Sequence, residues 1–302
     1  MGRFAPSPTG PLHLGSLVAA VASYLQAKTH GGRWIVRVED IDPPREQPGA
    51  TEDILQTLRD FGFIWDEEPG LQSRSRPAHE SALQTLIDAE LAYPCGCSRR
   101  QLVGAPRGPL GTIYPGTCRD GCSSTETAIR IRTTDQLVAF DDGLQGRVGQ
   151  HLESESGDFI IRRRDGLIAY HLAVVVDDEL QGITEILRGI DLMDSTPRQI
   201  WLQRLLGYRT PNYLHIPVIT HANGDKLSKL TGAPGIRADD APAMLVAALR
   251  GLRQEPPANL GQAALEEIWA WAIENWHIES LCGVKAIPVH ECLDSNPSNG
   301  LA

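Results

Sequence analysis

Residues 3–16 read RFAPSPTGPLHLGS, an apolar start that runs into a turn rich in proline and glycine. Residues 17–28 then carry apolar side chains at helical spacing, so the segment predicts a strand, a tight loop and a helix. A helix N-terminus offers unpaired backbone N–H groups and the positive end of a dipole, which together suit a phosphate. Gly15 lets a ligand approach the backbone, and His13 stands where it can hydrogen-bond a phosphate oxygen. A short His-x-Gly pattern also fits an ordinary βα corner, so a second signal must decide.

That second signal is a loop with two lysines, Asp225-Lys226-Leu227-Ser228-Lys229-Leu230. Lysines are point charges on flexible stems, and they can follow a triphosphate as charge builds on the leaving pyrophosphate. A Lys-x-Ser-Lys tetrapeptide alone is typical of surface loops. Together with the opening segment it indicates nucleotide chemistry.

The rest of the chain predicts an α/β fold with a parallel sheet. Residues 32–40 read as a buried strand, and residues 51–61 and 77–92 as amphipathic helices. Further along we expect strands at 159–164, 167–176 and 215–219 and helices at 195–206, with Ser195 as the N-cap, 241–252 and 260–276. The apolar run at 172–178 suits either a central strand or a buried helix. This alternation of strands and helices is typical of a parallel sheet covered by helices.

Residues 93–149 differ in character, because glycine, proline, cysteine and threonine are frequent and the apolar runs are short. We expect an insertion between the two halves of the sheet, with an exposed strand at 128–132. Four of the six cysteines fall here, at Cys95, Cys97, Cys118 and Cys122. In a reducing compartment such a cluster indicates a metal before disulfides. Three thiolates and one further ligand would complete a structural zinc site that braces an insert with few apolar residues.

Composition and charge limit the function classes. The 302 residues are 41% hydrophobic and 22% charged, which is typical of a globular protein with one large domain or two modest ones. No run reaches the ~18 apolar residues that a membrane span needs, and the N-terminus does not resemble a signal peptide, so we expect a cytoplasmic protein. The net charge of −10 gives no overall attraction to nucleic acid, so any RNA contact must use local basic patches.

The two loops together resemble the signatures of class I aminoacyl-tRNA synthetases, written HIGH and KMSKS in that family. They stand here as His13-Leu14-Gly15-Ser16 and Lys226-Leu227-Ser228-Lys229-Leu230. RVEDID at 37–42 and GITEILRGID at 182–191 resemble segments of the glutamyl-tRNA synthetase branch, and the similarity covers roughly residues 2–240 in order. The departures from the family pattern are Ser16 for a second His, Leu230 for a final Ser, and Glu185 for a common His.

The resemblance implies a ligase that joins glutamate to ATP, with Mg²⁺ accompanying the nucleotide. Arg3 and Arg188 would hold the glutamate side-chain carboxylate, since an arginine fork donates two parallel hydrogen bonds. Tyr170 would add a hydroxyl, and Glu39 would accept from the α-ammonium group. A structural ion pair remains the alternative for Arg188 and Glu39.

The remaining implied site residues belong to four groups. The glutamate pocket would also be lined by Phe4, Ala5, Pro6 and Ser7. The catalytic residues would be His13, Lys226 and Lys229, and the ATP-binding residues His13, Gly15, Ser16 and Lys229. The zinc ligands would be Cys95, Cys97, Tyr114 and Cys118, with Cys122 as the competing fourth ligand.

The acceptor of the glutamyl group is suggested by the length of the chain. Only about seventy residues follow the lysine loop, too few for a separate anticodon-binding domain. This architecture resembles the family of glutamyl-Q tRNA(Asp) synthetases, which implies transfer of glutamate to the queuosine base in the anticodon of tRNA(Asp) by a monomer. The alternatives are a truncated glutamyl-tRNA synthetase that charges the acceptor end of tRNA(Glu), a non-catalytic RNA-binding paralogue, and a small nucleotidyltransferase.

These observations divide the chain into five segments. We expect a class I synthetase, Rossmann-like parallel sheet in two halves, interrupted by a zinc-bearing insertion and followed by a small helical subdomain. The predicted boundaries are 1–92 and 159–222 for the halves of the catalytic domain, 93–158 for the insertion, 223–287 for the lysine loop and helical subdomain, and 288–302 for a disordered tail.

Overall fold

The computed structural model describes residues 1–109, 111–228 and 232–293. Its first part alternates strands and helices, as predicted. The elements are β1 (Gly2–Phe4), α1 (Leu14–Thr29), β2 (Trp34–Val38), α2 (Ala50–Asp60), β3 (Gly70–Leu71) and α3 (Arg76–Asp88). β1 pairs in parallel with β2, and β2 with β3, so this half of the chain forms a parallel sheet.

The insertion forms a small antiparallel sheet and a hairpin. Its elements are β4 (Ala92–Cys95), β5 (Arg107–Gly108), β6 (Gly111–Thr112), β7 (Ala128–Ile131), β8 (Leu137–Asp142), β9 (Gly146–His151) and α4 (Leu152–Glu155). β7 lies between β4 and β10 (Ile160–Arg162), and β8 pairs with β9. The predicted exposure of the strand at 128–132 is wrong, since every residue of β7 is buried at the centre of its sheet.

The second half of the catalytic domain returns to alternating elements. These are α5 (Tyr170–Leu180), β11 (Glu185–Gly189), α6 (Thr196–Leu206), β12 (Asn212–Ile216) and β13 (Val218–Thr220). The prediction of a strand at 167–176 is wrong beyond Ile168, which bridges to Arg162 before α5 begins. The apolar run at 172–178 is a helix buried against α3 and α6, the alternative that periodicity alone could not exclude. Ser195 precedes α6, but its side chain makes no capping bond.

The two halves meet beside β1. The Met1 carbonyl accepts hydrogen bonds from the backbone N–H groups of Thr184 at 3.0 Å and Glu185 at 3.2 Å, which places β11 next to β1. β11 pairs in parallel with β12. Chain order therefore reverses between β1 and β11, and in such sheets the crevice at the carboxyl ends of the two strands is where ligands bind.

The C-terminal part packs helices onto α1. It contains α7 (Ala241–Gly251), α8 (Leu265–Glu274), β14 (Ala286–Pro288) and α9 (Val289–Cys292). The predicted disorder from residue 288 is wrong as far as Leu293, because β14 pairs with β13 and α9 buries Cys292 against the core. Residues 294–302 lie outside the described residues.

Helix α1 is apolar around most of its circumference because it is enclosed by the sheet, α7 and α8. Near its C-terminal half, Tyr24, Trp34, Phe63 and Trp269 form an aromatic cluster with ring centroids 4.8–5.5 Å apart. Each large side chain buried in this way contributes about 1.5–3 kcal/mol. The core therefore holds the helix rigidly, with its N-terminus at the crevice. Among the described helices, none has the length and apolarity needed to cross a bilayer.

Candidate active site

A cavity of about 530 Å³ opens where β1 and β11 end. The cavity brings together predicted site residues from segments that are up to 223 positions apart in the chain, from Arg3 to Lys226. Those that line it are Arg3, Phe4, Ala5, Pro6, Ser7, His13, Gly15, Ser16, Glu39, Tyr170, Arg188 and Lys226. The predicted Lys229 lies outside the described residues.

The opening segment presents the N-terminus of α1 to this cavity. His13 is the N-cap, and its Nδ1 accepts a hydrogen bond from the Ser16 backbone N–H at 3.3 Å. An accepting Nδ1 means that the neutral ring carries its proton on Nε2. At Gly15, a side chain would stand 3.1 Å from the His13 ring and 3.5 Å from the Leu227 carbonyl oxygen. The glycine thus allows the two signature loops to approach each other.

The lysine loop folds back over the same helix. The Leu227 N–H donates to the Ile219 carbonyl at 2.8 Å, and the buried Leu227 side chain anchors the loop to the core. Lys226 remains exposed, and its Nζ contacts Asp191 Oδ2 at 2.5 Å. The sequence did not single out Asp191, which follows β11 and also lines the cavity.

Arg3 lies on the cavity wall with its fork already occupied. Its Nε donates to Asp178 Oδ1 at 3.1 Å, and Nη2 lies 3.5 Å from the other carboxylate oxygen. Arg37 donates to the same carboxylate at 2.8 Å. Burial alone would raise the pKa of Asp178, but Arg3 and Arg37 outweigh burial and hold this pKa below its usual value. In this structure the Nε and Nη2 donors of Arg3 are used by Asp178, and a direct contact of Arg3 with a ligand stays a prediction.

Replacing Asp178 with asparagine is expected to destabilise the fold by about 3–5 kcal/mol, since two buried guanidinium groups lose their shared charge partner. Urea unfolding followed by circular dichroism measures this change. The control is Asp141→Asn, which removes an ion pair with Arg147 on the surface and should leave the unfolding midpoint unchanged. Equal effects of the two substitutions would contradict the interpretation.

Arg188 differs from Arg3 because all its partners are neutral. Nε donates to His215 Nε2 at 3.1 Å, and Nη2 donates to Thr196 Oγ1 and Gln199 Oε1, both at 2.8 Å. A weaker contact joins Nη2 to the Leu192 carbonyl at 3.4 Å. Among the described residues, Arg188 has no carboxylate partner, and its buried Nη1 has no hydrogen-bond partner. The alternative of a structural ion pair does not hold for this arginine.

Glu39 and Tyr170 form the opposite wall. Glu39 Oε1 accepts from Arg37 Nη2 at 3.4 Å, so the ion-pair alternative does describe part of its surroundings. Burial raises the pKa of Glu39 above its ordinary value, although the charges of Arg37 and Arg3 oppose this shift. Burial likewise raises the pKa of Tyr170, so its hydroxyl stays protonated at neutral pH. A cationic group bound beside Glu39 would favour the ionised carboxylate.

The cysteine cluster lies in the insertion, at the end of β4. The sulfur atoms of Cys95, Cys97 and Cys118 lie within 4.8 Å of one another. The Tyr114 hydroxyl stands 3.3 Å from Cys95 Sγ and 3.6 Å from Cys97 Sγ. Cys122 is not part of this group, and its Sγ instead accepts from the Gly96 N–H at 3.1 Å. Three sulfurs and one phenol oxygen thus converge, which suits a four-coordinate zinc ion.

Two arginines support the cluster. Arg130 Nε donates to Cys95 Sγ at 3.3 Å, and its guanidinium lies 3.9 Å from the centre of the Tyr114 ring. Arg119 contacts both carboxylate oxygens of the buried Asp158, at 2.6 and 2.7 Å, which fixes the backbone next to Cys118. Burial would raise the pKa of Cys118, but hydrogen bonds from Tyr114, a backbone N–H and the neighbouring thiols lower this pKa to about 7. A thiol that ionises easily is a good zinc ligand.

Comparison with known proteins supports the resemblance of the signature loops. The sequence matches the family described as tRNA synthetases class I (E and Q), catalytic domain, over residues 1–108 and 117–255. It is 53% identical over 277 residues to a glutamyl-Q tRNA(Asp) synthetase of Pseudomonas aeruginosa (strain PAO1), covering 91% of this chain and 93% of that protein. It is 53% identical over 285 residues to a protein of the same name from Dechloromonas aromatica (strain RCB), covering 93% and 95%.

A solved structure shows the same fold. The crystal structure of a glutamate-tRNA synthetase from Elizabethkingia anophelis superposes with a TM-score of 0.78 at 24% sequence identity. The similarity covers 96% of this chain and 68% of the other. With the match over most of its length and relatives at 53% identity, the chain belongs to the class I tRNA synthetase family (E and Q) and carries its catalytic domain.

Proposed function

We propose that this chain activates L-glutamate with ATP and transfers the glutamyl group to the queuosine base in the anticodon of tRNA(Asp), acting as a cytoplasmic monomer. Relatives at 50–53% identity that bear the name glutamyl-Q tRNA(Asp) synthetase support the acceptor. The observation that carries the choice of glutamate is Arg188. Arg188 lines the cavity, its guanidinium has only neutral partners among the described residues, and its buried Nη1 has no hydrogen-bond partner there. Because a buried charge without a counter-ion is costly, such a pocket favours an anionic ligand.

The remaining groups of glutamate find complementary partners in the cavity. Its side-chain carboxylate would meet Arg188, with Arg3 adding positive charge and the Tyr170 hydroxyl a hydrogen bond. Its α-ammonium group would meet Glu39, with the backbone around Ala5 and Ser7 completing the wall. Asp178 holds Arg3 in place and also pairs with Arg37.

ATP would lie across the N-terminus of α1. The phosphates would face His13, Gly15 and Ser16, where the positive end of the helix dipole favours negative charge. An oxygen of the glutamate α-carboxylate attacks the α-phosphorus, and the bond from that phosphorus to the bridging oxygen breaks. Pyrophosphate leaves with both electrons of this bond, and Lys226 and Lys229 would stabilise its charge. The products are glutamyl-adenylate and pyrophosphate.

Transfer requires no covalent enzyme intermediate. A hydroxyl oxygen of queuosine attacks the carbonyl carbon of the adenylate, the carbon–oxygen bond to phosphate breaks, and AMP leaves. The hydroxyl proton passes to a phosphate oxygen of the departing AMP, and the glutamyl ester of the modified base remains. Positioning and charge stabilisation are sufficient for this class of chemistry.

Two metal ions belong to the proposal. Mg²⁺ accompanies ATP and lowers the charge repulsion among its phosphates. Zinc would be held by Cys95, Cys97, Tyr114 and Cys118, whose donor atoms converge as described. None of these four residues lines the cavity described above, which supports a structural ion that braces the insertion.

Replacing Lys226 with alanine is expected to lower kcat for glutamate-dependent ATP–pyrophosphate exchange about 10²-fold, because charge on the leaving pyrophosphate loses a stabilising cation. The KM for glutamate should stay within about twofold, since Lys226 acts in the transition state. Lys285→Ala, at another exposed lysine, serves as the control and should leave kcat unchanged. A variant whose only defect is a higher glutamate KM would contradict this assignment.

The proposal as a whole is tested by two measurements on the unaltered chain. The first is glutamate-dependent ATP–pyrophosphate exchange in the absence of tRNA. The second is transfer of labelled glutamate to tRNA(Asp) with queuosine, tRNA(Asp) with guanosine at that position, and tRNA(Glu). We expect exchange, and transfer to the queuosine-containing tRNA(Asp) alone. Transfer to tRNA(Glu) instead would support the truncated tRNA-charging enzyme, and absence of exchange would support the RNA-binding paralogue.

A further inference from the structure

A buried chain of hydrogen bonds leads from the insertion to Arg188. It begins at Asp142, the last residue of β8, and passes through His215 on β12. Asp142 Oδ2 lies 2.6 Å from His215 Nδ1, and His215 Nε2 lies 3.1 Å from Arg188 Nε. The side chains of His215 and Asp142 are fully shielded from solvent. The predicted site contained neither residue, and the proposed chemistry gives neither a role.

The orientation of Asp142 is fixed by the backbone. Its Oδ1 accepts from the N–H groups of Leu144 and Gln145, both at 3.0 Å, and from that of His215 at 3.2 Å. Burial would raise the pKa of Asp142, but the hydrogen bonds from His215 and these backbone groups outweigh it and lower the pKa. Asp142 is therefore an ionised acceptor, and His215 must donate to it from Nδ1.

This requirement selects one form of the histidine ring. With its proton on Nδ1, the neutral ring presents a lone pair on Nε2, which is what the donating Nε–H of Arg188 needs. With a second proton on Nε2, the ring N–H and the Arg188 Nε–H would both be donors, and their hydrogen bond would be lost. Thr196 Oγ1 contacts both residues. It lies 3.2 Å from His215 Nε2 and accepts a hydrogen bond from Arg188 Nη2 at 2.8 Å.

We propose that His215, oriented by Asp142, is a positioning residue that holds the Arg188 guanidinium with Nη1 directed to the substrate carboxylate, and that it does so without cancelling the positive charge. The inference rests on the proposed use of glutamate. A carboxylate in place of His215 would also orient Arg188, but it would neutralise the guanidinium and remove the preference for an anionic side chain. Neutral acceptors on Nε and Nη2 leave the charge available to glutamate and select against the uncharged glutamine.

The hydrogen bond between His215 and Arg188 depends on pH, because it requires a neutral His215 ring. The charged and titratable groups around the ring are Asp142 at the end of β8, Arg188 from β11, Asp191 after β11, and Tyr213 from β12, whose ring is stacked 6.1 Å away. Burial and Arg188 lower the pKa of His215 below its ordinary value, and the two aspartates oppose this shift only in part. The neutral ring therefore prevails at neutral pH, and protonation in acid would disconnect Arg188.

Two substitutions test the role of the ring in glutamate binding. His215→Leu removes the acceptor and is expected to raise the KM for glutamate about 10- to 100-fold, the loss expected for one hydrogen bond to a charged group. The KM for ATP should change less than about twofold. His215→Gln offers a neutral acceptor on a side chain of similar reach and should recover at least part of the loss. The ratio of kcat/KM for glutamate over glutamine should fall in the leucine variant.

A third measurement observes the ring in the unaltered protein and needs one variant only to assign its signal. Nitrogen-15 NMR of ring-labelled histidine, with His215 assigned by its absence in His215→Gln, should show a proton on Nδ1 at pH 7.5. A proton on Nε2, or equal changes in the KM values for glutamate and ATP, would overturn the inference. If the unaltered protein catalyses glutamate-dependent ATP–pyrophosphate exchange but the His215 variants keep its KM for glutamate, this inference alone is overturned. Absence of exchange in the unaltered protein would overturn the proposed function and this inference with it.

Discussion

Replacing Arg188 with methionine is expected to lower kcat/KM for glutamate on the order of 10²–10³-fold, through a higher KM. Methionine keeps much of the apolar volume but removes the guanidinium, so the substrate carboxylate would be buried without its partner, a loss of about 2–5 kcal/mol. The KM for ATP should stay nearly constant, because the nucleotide lies against α1. Steady-state ATP–pyrophosphate exchange at varied glutamate and at varied ATP measures both constants.

Two variants serve as controls for this result. Arg188→Lys keeps a positive charge but loses the hydrogen bonds to His215, Thr196 and Gln199. Its kcat/KM for glutamate should therefore fall between the values of the unaltered protein and of Arg188→Met. Arg147→Met removes an exposed arginine and should have no effect on either KM. If the methionine variant instead unfolds at a much lower urea concentration while its residual activity keeps a normal glutamate KM, Arg188 would be a structural residue.

The second large effect is expected at the proposed zinc site. Cys118→Ser should reduce zinc from one ion per chain to a small fraction and lower Tm by about 6–12 °C, assuming a loss of about 3 kcal/mol. The reason is that the insertion around Cys118 has a small apolar cluster of its own, made largely of the ligand residues themselves. Metal analysis of the purified protein and calorimetry with and without a chelator provide the measurements.

The comparison of Tyr114 and Cys122 identifies the fourth ligand. Tyr114→Phe removes only the hydroxyl that meets Cys95 and Cys97, so its zinc affinity should drop clearly. Cys122→Ser alters a thiol outside the converging group and should retain one zinc ion per chain with a nearly unchanged Tm. The opposite outcome, with zinc lost from Cys122→Ser and kept in Tyr114→Phe, would assign the fourth position to Cys122.

Local signals in the sequence predicted the parts of this molecule that depend on local chemistry. The proline and glycine turn before His13 indicated the βα corner, and helical spacing indicated α1, α2, α3 and α6. The cysteine spacing placed the thiols of Cys95, Cys97 and Cys118 in one group, and the structure confirms that they converge. Signals of this kind act over a few residues, so a single sequence suffices.

The errors and omissions arise from partners that are far apart in the chain. The apolar run before Asp178 has no period, so only its packing against α3 and α6 makes it a helix. The exposed appearance of β7 came from its alternating arginines, but Arg130 is buried because Cys95 and the Asp158 carbonyl accept its hydrogen bonds. His215 and Asp142 lie 73 positions apart, and no motif marks either.

The position of β7 between β4 and β10 has a consequence for how this enzyme could change in evolution. β4 ends at Cys95 of the cysteine cluster, β10 precedes the helix that begins with Tyr170, and the β8–β9 hairpin supplies Asp142, which contacts His215 behind Arg188. The sheet and the hairpin of the insertion are therefore both connected to residues of the proposed glutamate pocket. We expect that exchanging the insertion as a unit between synthetases would disturb this pocket. A change of tRNA partner that alters this segment must preserve the strand order and the hairpin, or amino-acid selection changes with it.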